Sequence, residues 1–246
     1  MFTFCNKFLS LTENKQFRSS QEGAATNRYL KAQQNPNKMK NIRKFRVLIL
    51  VLFSTFISCS QNIESTTIEN GDIIFQTSLS NQSKAIQVAT NSKYSHCGIV
   101  FIENDTFYVF EAIQPVKKTE LKKWIKRGEN GKYVIKRLKE SDKILTPEVL
   151  NKMQKIGNSM TGKNYDLTFE WNDTKIYCSE LIWKIFNGAT GLEIGKLQQL
   201  KDFDLSNTEV QKIMKKRYGN KIPWNEKVIS PVAIFESDLL KTVSSN

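Results

Sequence analysis

The stretch Ile176-Tyr177-Cys178-Ser179-Glu180-Leu181 places a cysteine where an amphipathic helix begins. The helix is predicted to start near Tyr177 and to stop at Asn187-Gly188. A helix N-terminus carries partial positive charge and free N–H groups, which lower the pKa of a thiol and hold an oxyanion. Cys178 is therefore the candidate nucleophile. Ser179, together with the N–H donors of the first helical turn, is expected to support the oxyanion. The alternative for Cys178 is a small buried hydrophobic residue.

The chain contains one histidine, His96, in the run Tyr94-Ser95-His96-Cys97-Gly98-Ile99-Val100. On a strand, His96 and Gly98 share one face while Cys97 and Ile99 share the other. If the Cys97 face packs into the core, His96 points away from it, into a cleft against the cysteine helix. This arrangement makes Cys97 structural and His96 the base that pairs with Cys178. The alternative is a histidine without a chemical role.

Glu111 is the candidate third member, because it ends the strand that follows His96. Asn104-Asp105 between the two strands is typical of a β-hairpin turn. Hairpin pairing about that turn places Glu111 nearly opposite His96, where a carboxylate accepts from the imidazole and stabilises imidazolium. The alternative is an exposed glutamate at a strand end.

The remaining pattern predicts an α+β fold, with strands first and then helix, loop and helix. Strands are expected at 73–75, 96–102, 106–112 and 133–139. Thr119 is expected to cap a helix that ends at Gly128. Thr146-Pro147-Glu148 opens the clearest helix, which has an N-cap, a proline at its first position and an acidic first turn.

The first 58 residues carry most of the formal charge of +13, because they hold ten Lys and Arg against two Glu. The rest of the chain carries only +5. It lacks the interleaved basic and aromatic pattern of a nucleic-acid surface, so no nucleic-acid partner is expected. A basic segment from Met39 and a short apolar run from Val47 to Ile57 are typical of a signal peptide, and the run is too short to span a membrane.

The ending Ile57-Ser58-Cys59 resembles a bacterial lipobox, which implies cleavage before Cys59 and lipidation of its thiol. We expect residues 1–38 to be a leader that is non-native or disordered, 39–58 the signal peptide, and 59–69 a tether. The folded domain is expected at 70–246. These features predict a lipoprotein anchored to a membrane of the bacterial cell envelope, on the periplasmic or surface side.

The motifs together resemble the YiiX-like hydrolases, which are circularly permuted relatives of the NlpC-type papain-like cysteine peptidases. The four that carry the resemblance are Gly71-Asp72-Ile73-Ile74-Phe75, Ser95–Val100, Phe110-Glu111-Ala112 and Tyr177–Leu181. The resemblance implies a papain-like fold in which an antiparallel sheet precedes the cysteine helix. It implies Cys178 as nucleophile, His96 as base and Glu111 as third member, and Tyr165 matches a tyrosine that supports the oxyanion site. The Gly-Gly pair expected after that tyrosine is absent here.

The predicted function is hydrolysis of an amide or ester through an acyl-enzyme, on a cell-wall peptide, a lipid or an acylated amine. Acyl transfer to an amine or alcohol on the same fold is one alternative. A non-catalytic lipoprotein that binds wall or lipid fragments is another. No cofactor is expected. A metal site is not expected either, because His96 and Cys97 point to opposite faces of a strand.

Overall fold

A computed structural model describes residues 68–246. The predicted leader, the signal peptide, Cys59 and the tether as far as residue 67 lie outside the described residues. Residues 68 and 69, which were predicted to belong to the tether, pack on the domain, since Ile68 is buried and the backbone N–H of Glu69 donates to Asp72 Oδ2 at 2.8 Å. Within 68–246, no helix combines the length and apolar character needed to cross a membrane.

Strands and helices alternate irregularly along this part of the chain. The strands are β1 (Ile73–Gln76), β2 (His96–Glu103), β3 (Thr106–Glu111), β4 (Lys117–Glu120), β5 (Val134–Leu138), β6 (Asn164–Tyr165), β7 (Lys175–Ile176), β8 (Gln198–Gln199), β9 (Lys227–Val228) and β10 (Leu240–Ser245). The helices are α1 (Asn81–Thr90), α2 (Leu121–Lys126), α3 (Ser141–Ile144), α4 (Pro147–Met160), α5 (Cys178–Thr190), α6 (Thr208–Tyr218) and α7 (Pro231–Phe235).

A six-stranded antiparallel sheet forms the centre of the domain, in the order β10-β5-β1-β2-β3-β4. Asn104 and Asp105 both have positive φ, at 48° and 58°, as the tight turn of a hairpin requires. The β2–β3 register pairs Ile99 with Phe110. The predicted hairpin and α+β class are confirmed, and the final strand adds a sheet edge that the sequence pattern did not indicate.

The two faces of the sheet pack against different helices. One face places Phe75, Cys97 and Ile99 in the largest hydrophobic cluster, together with residues of α4 and α5. The other face places Ile74 and Val100 against Leu121 and Trp124 of α2. Burial on both faces explains why these strands are apolar throughout rather than alternating with polar residues.

The helix predictions are confirmed for α4, which starts after Thr146, whose side chain caps Val149 N. Two others need correction. Thr119 does not cap α2, because it lies in β4 and its hydroxyl donates to Glu111 Oε1 at 2.6 Å. The cysteine helix does not stop at Asn187-Gly188 but continues to Thr190, and Gly191 ends it with a φ of 79°.

Candidate active site

Cys178 is the first residue of α5 and only 1% exposed. The preceding residue, Tyr177, is extended, and its backbone N–H donates to Glu180 Oε2 at 3.3 Å. The first N–H groups of a helix have no helical acceptor, so those of Cys178 and Ser179 lie beside the sulfur and are free to bind an oxyanion. The predicted placement of this cysteine at a helix N-terminus is confirmed.

Two hydrogen bonds fasten the start of α5 to the C-terminal part of the chain. The Ser179 hydroxyl donates to the Ile229 carbonyl oxygen at 2.7 Å, and the Ile229 N–H donates to the Tyr177 hydroxyl at 3.1 Å. The Ser179 side chain therefore positions the helix. The backbone N–H of Ser179, rather than its hydroxyl, is the group that fits the oxyanion-binding role predicted from the sequence.

His96 lies at the start of β2, where it is 8% exposed, and its Nε2 is 2.7 Å from Glu111 Oε2. Glu111 is fully buried at the end of β3. With Nε2 occupied by the carboxylate, Nδ1 is the ring nitrogen left for the Cys178 sulfur, with which His96 also interacts. The structure thus brings the three predicted residues together.

The strand register confirms that His96 and Glu111 lie nearly opposite each other, with a diagonal offset of two residues. The residue opposite Glu111 is Gly98, as follows from the pairing of Ile99 with Phe110. A Cβ on Gly98 would lie 2.4 Å from Val109 Cγ1 and 3.5 Å from Glu111 Cβ. Because Gly98 has no side chain, the Glu111 carboxylate can cross the strand pair and reach the imidazole.

Glu111 and His96 are held by three residues that the sequence pattern did not single out. Glu111 Oε1 accepts from Thr119 Oγ1 at 2.6 Å and from Arg127 Nη2 at 2.5 Å. The His96 ring stacks on Trp124, with ring centroids 5.7 Å apart and an interplanar angle of 24°. Their roles depend on β4 and α2 folding back on the sheet, which no local motif indicates.

The site electrostatics favour a thiolate and an imidazolium. Contact with the Cys97 thiol, followed by contact with His96, holds the pKa of Cys178 well below its ordinary value despite burial. Burial lowers the pKa of His96, but interactions with Cys178 and Glu111 outweigh it and raise this pKa to about 9. Burial also raises the pKa of Glu111, yet His96, Thr119 and Arg127 bring it below its ordinary value.

Cys97 is not only a packing residue. Its side chain is fully buried in the cluster that contains Cys178, as strand alternation predicts, and α5 packs on this face of the sheet. Its thiol interacts with the Cys178 sulfur, and burial raises the pKa of Cys97 well above the ordinary value. Of the two sulfurs, Cys97 is therefore the one that favours the protonated thiol. Helix α5 packs on the Cys97 face of the sheet, whereas the His96 ring stacks on Trp124 and still interacts with Cys178 at the start of the helix.

Tyr165 also reaches the site. It lies in β6, which pairs in parallel with β7 immediately before α5, so that Tyr165 is opposite Ile176. Its hydroxyl accepts from Gln82 Nε2 at 3.1 Å, and its side chain interacts with Cys178. Burial raises the pKa of Tyr165 well above its ordinary value, so the hydroxyl remains a proton donor near the sulfur.

Two cavities meet at these residues. The first lies between α1, α6 and the start of α5, borders Cys178 and has a volume of about 90 Å³. Its apolar lining includes Ala85, Ile86, Phe169, Leu200, Val210 and Met214. The second, of about 240 Å³, borders His96. Its lining includes four serines (Ser78, Ser80, Ser83 and Ser95) together with the apolar residues Ile86, Ala112 and Ile113. Tyr165 lines both.

Comparison with known proteins identifies related sequences and a related structure. A family model described as "Permuted papain-like amidase enzyme, YaeF/YiiX, C92 family" matches residues 67–244. The uncharacterized protein YiiX of Escherichia coli strain K12 is 48% identical over 176 residues, which are 72% of this chain and 86% of YiiX. A crystal structure of YiiX from Escherichia coli O157:H7 superposes with a TM-score of 0.70 at 48% identity, covering 73% of this chain and 98% of that one.

That crystal structure is described as one of a metalloprotein. Within residues 68–246 of the present chain, no three His, Cys, Asp or Glu side chains are grouped so as to hold a metal ion. His96 Nε2 is bonded to Glu111, which is in turn shared with Thr119 and Arg127. The donor set of the described residues does not fit a metal centre.

Proposed function

The chain belongs to the C92 family of permuted papain-like amidases, and from this premise we propose that Cys178 cleaves the amide bond of an apolar acyl group. Membership supports a hydrolase of the amidase or peptidase kind. The acyl specificity is our proposal, and one observation carries it: the cavity that borders Cys178 exposes an almost entirely apolar surface. An apolar pocket favours an acyl chain over a peptide, which needs polar groups along its length.

The proposed reaction follows from the site geometry. The Cys178 thiolate attacks the substrate carbonyl, and the oxyanion is held by the N–H groups of Cys178 and Ser179 with the Tyr165 hydroxyl. His96 then gives its proton to the departing nitrogen, which leaves as an amine. Water, deprotonated by His96, attacks the thioester and releases the acid. Glu111 keeps the imidazole oriented and stabilises its protonated form.

The serine-lined cleft supports a polar leaving group. It lies on the His96 side of the site, where the amine departs, and hydroxyl groups of Ser80 and Ser95 are already hydrogen-bonded to the backbone N–H groups of Ser83 and Ser78. The substrate proposed here is therefore divided at the scissile bond, with an apolar acyl part at the Cys178 cavity and a polar amine at the serine cleft.

A chain-length series tests the proposal. Fluorogenic acyl amides with acyl chains from two to twelve carbons should show kcat/KM rising about three- to fourfold per added methylene, from about 0.8 kcal/mol per buried CH₂, until the cavity is full. Cys178→Ala should abolish turnover of all of them. Cell-wall stem peptides cleaved faster than every acyl amide would overturn the acyl specificity. Product analysis with an added amine acceptor separates hydrolysis from acyl transfer.

We also propose that a lipid on Cys59 anchors the enzyme in the bacterial cell envelope. Support comes from the basic segment, the short apolar run and the Ile57-Ser58-Cys59 ending. Metabolic labelling with an alkyne fatty acid should mark the protein, and Cys59→Ala should remove the label. Equal labelling of the variant would refute the anchor.

A further inference from the structure

Arg217 is a half-buried cation in the wall of the apolar cavity. It lies in the last turn of α6, and its guanidinium carbon is 5.1 Å from the centroid of the Phe169 ring. Among the residues that line this cavity it is the one with a positively charged side chain. The mechanism proposed above does not use it.

The guanidinium has no hydrogen-bond acceptor or carboxylate partner within residues 68–246. Other arginines of this region are paired: Arg127 donates to Glu111 and Arg137 to Asp72. Asp166 is the carboxylate that acts on the pKa of Arg217, and both of its oxygens are bonded elsewhere. Asp166 Oδ1 accepts from the N–H of Thr168, and Asp166 Oδ2 accepts from the N–H of Glu170.

A guanidinium removed from water is costly unless its N–H groups are satisfied. Arg217 carries five such donors in a planar fork that matches a carboxylate or a phosphate. Burial accordingly lowers the pKa of Arg217, while the neighbouring Tyr165, Tyr218 and Asp166 act in the opposite direction. Arg217 both contacts the Phe169 ring and contributes to the wall of the cavity.

We propose that Arg217 is the anion-binding residue of the substrate site, and that it holds a carboxylate or phosphate carried by the molecule whose apolar part occupies this cavity. This proposal rests on the proposed function, because it takes the cavity to be the substrate-binding site. It concerns binding, however, and is measurable without turnover. It narrows the substrate class to acyl compounds with an acidic group. Neutral acyl amides would lack this contact.

Three ligands with one chain length test the assignment on the full-length protein: decanoate, decyl phosphate and decanol. The dissociation constants are measured by calorimetry below the micelle concentrations. Decanol reports the apolar contact alone, and at least one anionic ligand should bind the wild type about 10- to 100-fold more tightly, as expected for hydrogen bonds to a charged group. The preferred anion distinguishes a carboxylate substrate from a phosphate substrate.

The Arg217→Gln variant should lose this preference and retain the wild-type affinity for decanol. Arg217→Lys keeps the charge without the fork and should retain part of the preference. Lys216→Gln, at an exposed neighbour on the same helix, is the matched control and should leave all three constants unchanged. Thermal melts establish that each variant is folded.

The outcomes separate the two proposals. Equal binding of decanol and both anions to the wild type, or an anion preference that survives in Arg217→Gln, would overturn the role of Arg217 while leaving the acyl cavity in place. Failure of all three ligands to bind the wild type would overturn both.

Discussion

Replacing Glu111 by Gln tests the electrostatic basis of the site, because the change keeps the size of the side chain and removes its charge. Glu111 Oε2 is 2.7 Å from His96 Nε2, and both residues are buried. An amide can still accept a hydrogen bond from the ring, but it offers no charge to balance imidazolium. The expected consequence is a site in which the thiolate–imidazolium pair is present over a narrower range of pH.

The magnitude follows from the pKa of His96, which is raised to about 9 although burial alone would lower it. An opposite charge within about 4–6 Å changes a pKa by about 1–3 units. Removing the Glu111 charge should therefore lower the His96 pKa to between about 6 and 8. Each unit corresponds to about 1.4 kcal/mol less stabilisation of imidazolium.

The assay is the pH profile of kcat/KM on one acyl amide substrate. His96 must be protonated in the resting pair, so activity is lost as the pH rises through its pKa. The wild type should show its alkaline limb near pH 9, and Glu111→Gln should move that limb down by about 1–3 pH units and lower the maximum about 100-fold or more.

Glu103→Gln is the matched control, since Glu103 lies at the other end of the same hairpin, paired with Lys118 at 2.5 Å. It should leave the profile unchanged. An alkaline limb that stays at the wild-type pH in Glu111→Gln would refute the argument that this carboxylate sustains imidazolium.

Two further predictions concern the neighbours of these residues. Gly98→Ala would place a methyl group 2.4 Å from Val109 Cγ1 and 2.8 Å from the Phe110 carbonyl oxygen. The free energy of unfolding in urea should therefore fall by about 1–3 kcal/mol. An unchanged midpoint of the urea unfolding transition would contradict the close approach of β2 and β3. Cys97→Ala removes the thiol that contacts the Cys178 sulfur, so the pKa of Cys178 should rise, as followed by peptide-resolved alkylation against pH. An alkylation profile equal to that of the wild type would show that His96 alone maintains the thiolate.

The sequence predicted the parts of the site that depend on local geometry. A helix start is marked by periodicity, and a hairpin turn by Asn104-Asp105, so Cys178 and the strands carrying His96 and Glu111 could be placed from their neighbours in the chain. The hairpin register expected from the turn is confirmed, and within it His96 lies two residues from the position opposite Glu111. Gly98 was the residue that pointed to the diagonal, since a glycine facing Glu111 makes room for its carboxylate.

Residues that reach the site from distant segments are not indicated by any local sequence pattern. Arg127 and Thr119 become partners of Glu111 only after β4 and α2 return to the sheet, and a lone Arg or Thr has no periodicity to reveal this. Cys97 was expected to pack, and it does. Its contact with Cys178 depends on which helix covers that face of the sheet. Both faces are covered, and the alternation of side chains along one strand does not show which face packs against the cysteine helix.

The cavity beside Cys178 also could not be predicted from local sequence patterns, because several distant segments form it. Its walls come from α1 near residue 85, from Phe169 and from α6 beyond residue 208, so that chain segments more than 120 residues apart enclose one apolar space. Each segment is only modestly apolar, and none would be recognised as part of a binding site by itself. In a permuted domain the nucleophile comes late in the chain, and the residues after it can close over the site that it forms. Residues after the nucleophile thus form part of the proposed substrate cavity, whereas the motifs of the catalytic residues end at Leu181. For this reason those motifs predict the chemistry better than they predict the substrate.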